Sequence, residues 1–344
     1  SRRVSPGVEL LRFSASQVLR FKSYHTKGRR PIAPSPSIRR AIIPAAGYGT
    51  RMFPATKAVR KELFPIVDQD GLVKPAIQLI IEEALASGIE EVCLVVAPGG
   101  DRVFREYFSG LSNLLRSALR GKPALEAAAE QVAQLGNRLT YVTQTTQDGY
   151  GDAVLCAQNW ADGAPVLVML GDHVYLSNET RRCARQVMEA FTNQQAPLSG
   201  VIRKPAMDLH LFGTVSGVLA PGENHLYAVD RIVEKPDKWY ARKHLCINGL
   251  PEETYLCWFG LHAMTPDIFD CLRALKDRGL SDGGELQFTD AQAMLAAQRP
   301  YYALEVSGEH YDIGVPEGYV KTVEAFANKS NNRSEYSTRQ KSDV

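Results

Sequence analysis

A glycine-rich turn followed by basic residues occupies residues 41–65 of the chain. The apolar run Ala41–Ala46 has the composition of a β-strand and ends at Gly47 and Gly49. Glycine lets the backbone approach a phosphate closely and leaves amide N–H groups to bind it. Three cations suited to a polyphosphate follow: Arg51, Lys57 and Lys61. The segment indicates a nucleoside triphosphate site, with an ordinary glycine-rich turn as the alternative.

Two commoner phosphate-binding loops are excluded by the spacing of this segment. A dinucleotide-binding fingerprint needs a third glycine where Met52 stands, and no G-x-x-x-x-G-K-[ST] run occurs in the chain. No nucleophile elbow or Ser-His-Asp order is present either. Covalent catalysis therefore has no support from the sequence, and the binding of phosphates by backbone and cations remains.

Acidic residues at the ends of two apolar segments are candidate ligands for a metal ion. Asp172 follows Val166–Leu170, and Asp312 lies in a YDIG sequence after another strand-like run. A pair of carboxylates can bind Mg²⁺ while phosphates and water complete its shell. For either residue alone, a turn or helix-capping role is the competing interpretation. Together with the phosphate loop, the pair predicts a Mg²⁺ site.

Two further polar segments could bind the remaining parts of a nucleotide and a sugar phosphate. Glu234 and Lys235 place a carboxylate suited to hydroxyls beside an ammonium suited to a phosphate, although a solvated turn would also contain such a pair. Gln144 and Gly149 could meet a base edge, or belong to a polar loop that caps the next helix. We expect His173 to be packed or hydrogen-bonded, because no His/Cys cluster accompanies it.

The order of strand-like and helix-like segments predicts an α/β fold. These segments alternate from residue 40 to about 210, which favours a Rossmann-like, mixed but mostly parallel sheet with helices on both faces. From about residue 198 the pattern becomes more β-like, which predicts an additional β-rich region. One folded domain is expected over 39–327, with its alternating part over about 39–197 and its β-rich part over about 198–327.

The charge of the chain is distributed unevenly between its beginning and the remainder. Residues 1–40 carry ten Arg and Lys against one acid, whereas residues 41–344 carry 30 bases against 37 acids. An acidic body argues against a nucleic-acid partner. Residues 1–38, rich in Ser and Arg, are expected to form a disordered extension, with an organellar transit peptide as the alternative. Residues 328–344 are expected to be a disordered tail.

Composition otherwise indicates a globular protein without a membrane partner. The chain is 44% apolar and 23% charged, and no apolar run approaches the length needed to cross a bilayer. The six cysteines are all more than ten residues apart, which gives neither a C-x-x-C motif nor a disulfide framework. A reducing compartment, and hence the cytoplasm, is expected. The sequence is compatible with a homo-oligomer and does not determine the oligomeric state.

Read together, the motifs resemble those of the sugar-1-phosphate nucleotidyltransferases, and most closely the bacterial-type UTP–glucose-1-phosphate uridylyltransferases. The first motif is IIPAAGYGTRMFPATKAVRKELFPIVD. Six more follow in order: QDGYGDAVLCA, VLVMLGDHVY, FGTV, RIVEKP, GELQFTDAQAML and YDIGVPEGY. They cover roughly residues 40–327. The resemblance implies a nucleotidyltransferase domain over 39–327, with a nucleotide-binding part over about 39–197 and an additional β-rich, sugar-binding part, for the sugar phosphate, over about 198–327. The order of seven motifs carries the resemblance, because any one of them alone would be a weak signal.

The resemblance implies a role for each matching residue. The nucleotide would be contacted by Ala45, Ala46, Gly47, Gly49, Gln144 and Gly149. The triphosphate would be met by Arg51, Lys61 and Lys57, of which Lys57 matches the uridylyltransferase form of the loop. The sugar phosphate would be bound by Gly213, Glu234 and Lys235, with Glu285 bordering the pocket. Mg²⁺ would be held by Asp172 and Asp312.

The implied reaction is transfer of a nucleotidyl group from UTP to glucose 1-phosphate, giving UDP-glucose and pyrophosphate. Two departures from the family pattern bear on substrate choice. A Gly149–Asp152 run, GYGD, replaces the usual Gly-Leu-Gly-His, and Cys257–His262 lacks the usual polar pattern. The same chemistry with dTTP, CTP or another sugar 1-phosphate is one alternative. A regulatory homologue that binds a sugar nucleotide without catalysis is the other.

Overall fold

The computed structural model describes residues 37–279 and 284–341, with side chains described as far as residue 329. The predicted extension therefore lies outside the described residues, except at its end. Ile38 is buried in the core, so the folded domain begins at least one residue before the predicted boundary at 39. Within the described part of the chain, no helix is long and apolar enough to span a bilayer.

The elements follow one another in the alternating order that the sequence predicts. The strands are β1 (Arg40–Ala45), β2 (Pro65–Val67), β3 (Val73–Pro75), β4 (Glu91–Val96), β5 (Leu139–Thr143), β6 (Val166–Met169), β7 (His173–Ser177), β8 (Leu198–Pro205), β9 (Gly213–Leu219), β10 (Leu226–Glu234), β11 (Thr254–Met264), β12 (Tyr302–Glu305) and β13 (Gly308–Asp312). The α-helices are α1 (Ala76–Ala86), α2 (Asp101–Tyr107), α3 (Asn113–Leu119), α4 (Pro123–Gly136), α5 (Tyr150–Cys156), α6 (Gln158–Ala161), α7 (Cys183–Gln194), α8 (Lys238–His244), α9 (Asp267–Asp277), α10 (Phe288–Gln298) and α11 (Pro316–Lys341). Short 3₁₀ helices cover Thr50–Met52, Ala55–Lys57, Lys61–Leu63 and Ala206–Leu211.

One nine-stranded sheet forms the centre of the domain, in the order β5-β4-β1-β6-β11-β8-β12-β10-β9. Strands β5, β4, β1 and β6 are parallel neighbours, and β12 is parallel to β8. The remaining pairings are antiparallel. The sheet is thus mixed, and the prediction that it is mostly parallel is correct only for its first half. The short link from β9 to β10 accounts for the antiparallel pairing of those two strands.

Helices cover both faces of the central strands, as their side-chain alternation requires. Ile43 packs in one apolar cluster and its neighbour Ile42 in the other, because successive strand residues point to opposite faces. The first cluster includes residues of α1 and α7, and the second includes residues of α5, α9 and α10. Burial on both faces accounts for the nearly continuous apolar sequences of β1, β4 and β6.

A two-stranded antiparallel ribbon lies beside the carboxyl ends of β1 and β6. Strand β7 begins three residues after β6, and β13 pairs with it in a register that places Asp312 opposite His173. The ribbon therefore brings a late segment of the chain to the turn that follows β6. This register is the structural reason for the meeting of the two predicted metal-binding acids.

Most of the predicted tail at 328–344 is helical in the structure. Helix α11 continues from Pro316 to Lys341, and residues 342–344 lie outside the described part. No proline or glycine follows Gly318 within the helix, so the sequence contains no strong helix-breaking residue there. Lys329 also donates a hydrogen bond to the carbonyl oxygen of Ser177 at 3.1 Å, which attaches the helix to β7.

Candidate active site

The glycine-rich loop leaves β1 and turns at Gly49, which has a φ of +65°. Ala45 and Ala46 are buried where the strand ends, and Gly47 has open space at the position of a Cβ atom. The hydroxyl of Thr56 donates to the carbonyl oxygen of Gly49 at 3.0 Å, which closes the loop on itself. A side chain at Gly49 would meet Thr56 Cγ2 at 2.9 Å, so glycine is required there for conformation and for space.

Arg60 attaches this loop to the sheet, a role that the sequence analysis missed. Its guanidinium donates to the carbonyl oxygen of Ala45 at 3.2 Å. The same group lies over the ring of Phe104 with 5.9 Å to the ring centre. Arg60 thus connects the loop to the end of β1 and to α2. The only signal for this role in the sequence is the position of Arg60 within a basic segment.

Lys61 and Asp172 form a partly buried ion pair, with Nζ and Oδ2 2.5 Å apart. Burial acts to lower the pKa of Lys61, but the Asp172 carboxylate outweighs it, so the pKa of Lys61 is raised. Burial likewise acts to raise the pKa of Asp172, but Lys61 and then His173 outweigh it, so the pKa of Asp172 is lowered. Both groups therefore remain charged at neutral pH.

Asp172, Asp312 and His173 form the one cluster in the described residues that could hold a metal ion. Candidate ligand atoms of the three side chains all lie within 4.8 Å of one another. His173 Nδ1 is 3.1 Å from Asp172 Oδ1. His173 is hydrogen-bonded, as expected, but it also belongs to this cluster, which the sequence analysis did not anticipate. The β7–β13 register is responsible, because it pairs His173 with Asp312.

Gly314 marks the point around which the charged groups converge. Its N–H donates to Asp312 Oδ1 at 2.6 Å. A Cβ atom at Gly314 would lie 2.8 Å from Asp172 Oδ2, 2.9 Å from Asp312 Oδ1 and 3.2 Å from a guanidinium nitrogen of Arg51. Arg51 therefore lies beside both carboxylates, although its 3₁₀ helix is far from either in sequence. Glycine at this position keeps the centre of the cluster free of a side chain.

Lys57 is not brought to this cluster by any contact between described residues. Its side chain is exposed at the end of the second 3₁₀ helix. The structure therefore groups Arg51 and Lys61 with the carboxylates and leaves Lys57 on the outer part of the loop.

Glu62 is a buried acid beside the ion pair, which the sequence analysis did not single out. Its side chain is 1% exposed, and its Oε2 atom lacks a hydrogen-bond partner among the described residues. Burial raises the pKa of Glu62 to about 7, while the neighbouring Lys61 acts to lower it. The carboxyl group thus changes charge near neutral pH, within the loop that carries the cations.

Gln144 and Gly149 are brought together at the carboxyl end of β5. The Gln144 Nε2 group donates to the carbonyl oxygen of Gly149 at 3.0 Å and to Asp152 Oδ2 at 2.9 Å. Lys276, from α9, donates to the other carboxylate oxygen of Asp152 at 2.6 Å. The sequence analysis noted Asp152 only as a departure from the family pattern and missed its partner Lys276.

Glu285 lies against the loop that contains Gly149. It is exposed, and its Cβ atom would be 2.7 Å from a Cβ atom at Gly149. The next residue, Leu286, donates its N–H to Asp148 and accepts from the N–H of Gly151. The GELQFTD motif therefore packs on the loop that follows Gln144, and its later residues form the start of α10.

Gly213 and Glu234 are cross-strand neighbours on β9 and β10. A Cβ atom at Gly213 would lie 2.9 Å from Glu234 Oε2 and 2.5 Å from the indole nitrogen of Trp258. Thr289, at the start of α10, donates to Glu234 Oε2 at 2.7 Å. Lys235 has a φ of +43°, and its ammonium is 3.6 Å from Glu234 Oε1. Thr289 and Trp258 are neighbours of this group that the sequence analysis missed.

His262 belongs to the core. It is 3% exposed, and its Nδ1 atom lies 2.7 Å from the hydroxyl of Ser199 and 3.0 Å from the amide nitrogen of Gln292. Burial lowers the pKa of His262 to about 3, so the ring is neutral. This agrees with the absence of a metal-ligand cluster around it in the sequence.

Known proteins resemble this chain over most of its length. A family profile described as nucleotidyl transferase matches residues 40–329. A UTP–glucose-1-phosphate uridylyltransferase of Bacillus subtilis is 35% identical over 291 residues, which cover 84% of this chain and 91% of the relative. A crystal structure of apo UDP-glucose pyrophosphorylase superposes with a TM-score of 0.71 at 28% identity, covering 85% of this chain and 99% of that one.

A UDP-glucose pyrophosphorylase in complex with UDP-glucose superposes with a TM-score of 0.69 at 27% identity, over 85% of this chain and 99% of that one. The resemblance that the seven motifs indicate is thereby confirmed, and so is the α/β fold with a mixed sheet. The matched range of 40–329 includes the glycine-rich loop, the segment of Gln144 and Gly149, and the β7–β13 ribbon. The chain therefore belongs to the nucleotidyl transferase family.

Proposed function

We propose that the protein transfers the uridylyl group of UTP to glucose 1-phosphate, giving UDP-glucose and pyrophosphate. The observation that carries the proposal is the convergence of Arg51 and Lys61 with Asp172 and Asp312 around Gly314. The choice of UTP and glucose rests on relatives and structural neighbours that bear those names and match nearly the full length of the domain.

The acids of the cluster suit a Mg²⁺ ion. Two carboxylates close to each other offer the hard oxygen ligands that this cation prefers. Asp172 and Asp312 would hold the ion, which when bound would offset negative charge on the phosphates. Lys61 neutralises Asp172 in this structure and is already placed among the groups that would face the triphosphate.

Cations and backbone amides of the loop would bind and orient the triphosphate. Arg51 and Lys61 are directed toward the carboxylate cluster, so they would oppose the charge that accumulates on the departing pyrophosphate. Gly47 and Gly49 let the chain pass close to the phosphates. The loss of one such charge-assisted contact would cost on the order of 3 kcal/mol, or about a hundredfold in rate.

The pocket formed by Gly213, Glu234 and Lys235 would receive the sugar phosphate. Glu234 would accept hydrogen bonds from sugar hydroxyls, and Lys235 would bind the phosphate. Thr289 holds the carboxylate of Glu234 in place. Because the phosphate oxygen that attacks the α-phosphorus is already ionised at neutral pH, the protein needs to position the substrates and does not need a general base.

A substrate panel tests this proposal. The purified chain is incubated with Mg²⁺, glucose 1-phosphate and, in turn, UTP, dTTP and CTP, and the release of pyrophosphate is measured. A second series keeps UTP and varies the sugar 1-phosphate. We expect the highest kcat/KM with UTP and glucose 1-phosphate and no turnover after removal of divalent metal with EDTA. Indifference to UTP would overturn the proposal, and binding without any turnover would indicate a regulatory homologue.

A further inference from the structure

The side-chain amide of Gln144 is held at one edge of the sheet by two acceptors. Gln144 follows β5 directly, and its backbone N–H donates to the carbonyl oxygen of Val96 at the end of β4. Because β5, β4, β1 and β6 run in parallel, Gln144 lies at the same edge as the phosphate loop and Asp172. Gln144 is 3% exposed, so its amide orientation is determined by protein neighbours.

The partners of this amide fix which end is nitrogen and which is oxygen. Both partners, the carbonyl oxygen of Gly149 and the carboxylate of Asp152, can only accept hydrogen bonds. The NH₂ group has two hydrogens, and the two acceptors use both of them. A rotated amide would place its oxygen against two other oxygens at about 3 Å, which is electrostatically unfavourable.

Asp152 remains a hydrogen-bond acceptor toward Gln144 because its carboxylate is paired with a cation. Its side chain is 2% exposed, and the ammonium of Lys276 is 2.6 Å from Oδ1. A buried carboxylate that has a charged partner on one side presents an acceptor on the other. Lys276 therefore supports the orientation of Gln144 from α9 without contacting Gln144 in the described structure.

The consequence is that Oε1 is the polar atom of the Gln144 side chain that remains for a ligand. This oxygen accepts no hydrogen bond from any residue in the ranges 37–279 and 284–329. An acceptor in this place selects a group that donates. A uracil base joined to ribose through N1 has one N–H group, at N3, whereas N3 of cytosine carries a lone pair. The fixed amide is thus complementary to uracil and repels the ring nitrogen of cytosine.

We propose that Asp152 and Lys276 are positioning residues that fix Gln144 as a hydrogen-bond acceptor and so select uracil over cytosine. This inference rests on the proposed use of UTP and adds how the base is chosen. Thymine has the same N3–H group, so the contact does not separate UTP from dTTP. The position that carries this selection is one at which the chain departs from the family pattern, since Asp152 stands where histidine is usual.

The decisive variant is Asp152→Asn. Lys276 can still donate to the amide oxygen of an asparagine, which turns the asparagine NH₂ group toward Gln144. Two facing NH₂ groups repel, so the carbonyl oxygen of Gly149 alone favours the original orientation of Gln144. Gln144 then also populates the rotated orientation, in which it presents its own NH₂ group to the base. We expect the ratio of kcat/KM for UTP to kcat/KM for CTP to fall at least about tenfold, since an unmatched buried hydrogen-bonding group costs of this order. The KM for glucose 1-phosphate should stay within about twofold.

A second variant changes Lys276, the more exposed member of the Asp152–Lys276 ion pair. Lys276→Met removes the cation while leaving Asp152 and Gln144 in place, and the side chain of Lys276 is 42% exposed, so its replacement is tolerated sterically. We expect a smaller fall in the same ratio. The matched control is Arg273→Met on the same helix, whose ion pair with Asp270 is exposed, and it should leave the ratio unchanged.

The outcomes separate this inference from the proposed function. If the wild-type chain turns over UTP but both variants keep the wild-type ratio of UTP to CTP, the positioning role is wrong and the proposed function stands. If the wild-type chain does not turn over UTP, the proposed function itself is wrong. If the ratio is unchanged while melting temperature and both KM values change together, Asp152 is only a structural residue and the inference fails.

Discussion

Lys61 Nζ lies 2.5 Å from Asp172 Oδ2, although 111 positions separate the two residues in sequence. One residue belongs to the loop after β1 and the other to the turn after β6, and these strands are parallel neighbours in the sheet. The pair therefore joins the segment that would bind the triphosphate to the segment that would bind the metal.

Replacement of either of the two acids proposed to bind Mg²⁺ should nearly abolish turnover while the fold survives. Asp172→Asn and Asp312→Asn keep the size of the side chain but remove the negative charge that would hold Mg²⁺. We expect pyrophosphate release to fall at least about a hundredfold, with thermal melting still cooperative. Asp270→Asn, at an exposed position on α9, is the control. Near-normal activity of either active-site variant would disprove the metal assignment.

The stability of the protein should depend on pH through Glu62. Burial raises the pKa of this carboxyl to about 7 in the folded protein from an ordinary value of 4.5. A raised folded-state pKa means that its contribution to stability is fully present below pH 4.5 and is lost as the pH rises through about 7. Glu62→Gln removes this loss, so the variant should gain stability over the wild type as the pH rises.

Urea unfolding without ligands at pH 5 and pH 8 measures this effect. The free energy of unfolding of Glu62→Gln, relative to the wild type, should increase between the two pH values by an amount on the order of 3 kcal/mol. Glu126→Gln, on the exposed helix α4, should show no such increase. A difference between Glu62→Gln and wild type that is the same at both pH values would contradict the assignment of the titration to Glu62.

A methyl group at position 213 should weaken the binding of the sugar phosphate. In Gly213→Ala the new Cβ atom would lie 2.9 Å from Glu234 Oε2 and 2.5 Å from the indole nitrogen of Trp258, so the carboxylate or the ring must move. We expect the KM for glucose 1-phosphate to rise by about tenfold, with the KM for UTP changing little. Gly110→Ala, where no atom lies within 4 Å of the new Cβ position, is the control. Equal increases in both KM values would argue against a sugar-specific effect.

The hydroxyl of Thr289 should position Glu234 for the sugar. Thr289→Val keeps the shape of the side chain but removes the hydrogen bond to Glu234 Oε2, which is 2.7 Å long. The loss of one such bond is worth about 1 kcal/mol, so the KM for glucose 1-phosphate should rise about fivefold. Thr289→Ser retains the hydroxyl and should restore the wild-type value. If the serine variant behaves like the valine variant, packing rather than the hydrogen bond accounts for the effect.

The motifs of the sequence predicted most of the groups that the fold brings together. Gly49, Arg51 and Lys61 are close in the chain, so local spacing alone revealed them as one loop. Asp172 could be predicted as a candidate ligand because it directly follows an apolar strand, and ligands of α/β sheets bind outside the carboxyl ends of the strands. The helical residues after 328 were missed because a polar composition does not exclude a helix.

The sequence by itself determined the family and the class of chemistry, because seven motifs occur together and in order, whereas each motif alone also fits an ordinary turn or helix cap. Only the tertiary structure decided which of these residues meet. The β7–β13 register brings Asp312 and His173 to Asp172, and α9 supplies Lys276 to Asp152, through contacts between segments that are distant in the chain. Such contacts depend on strand order and register, which local spacing in the sequence does not encode.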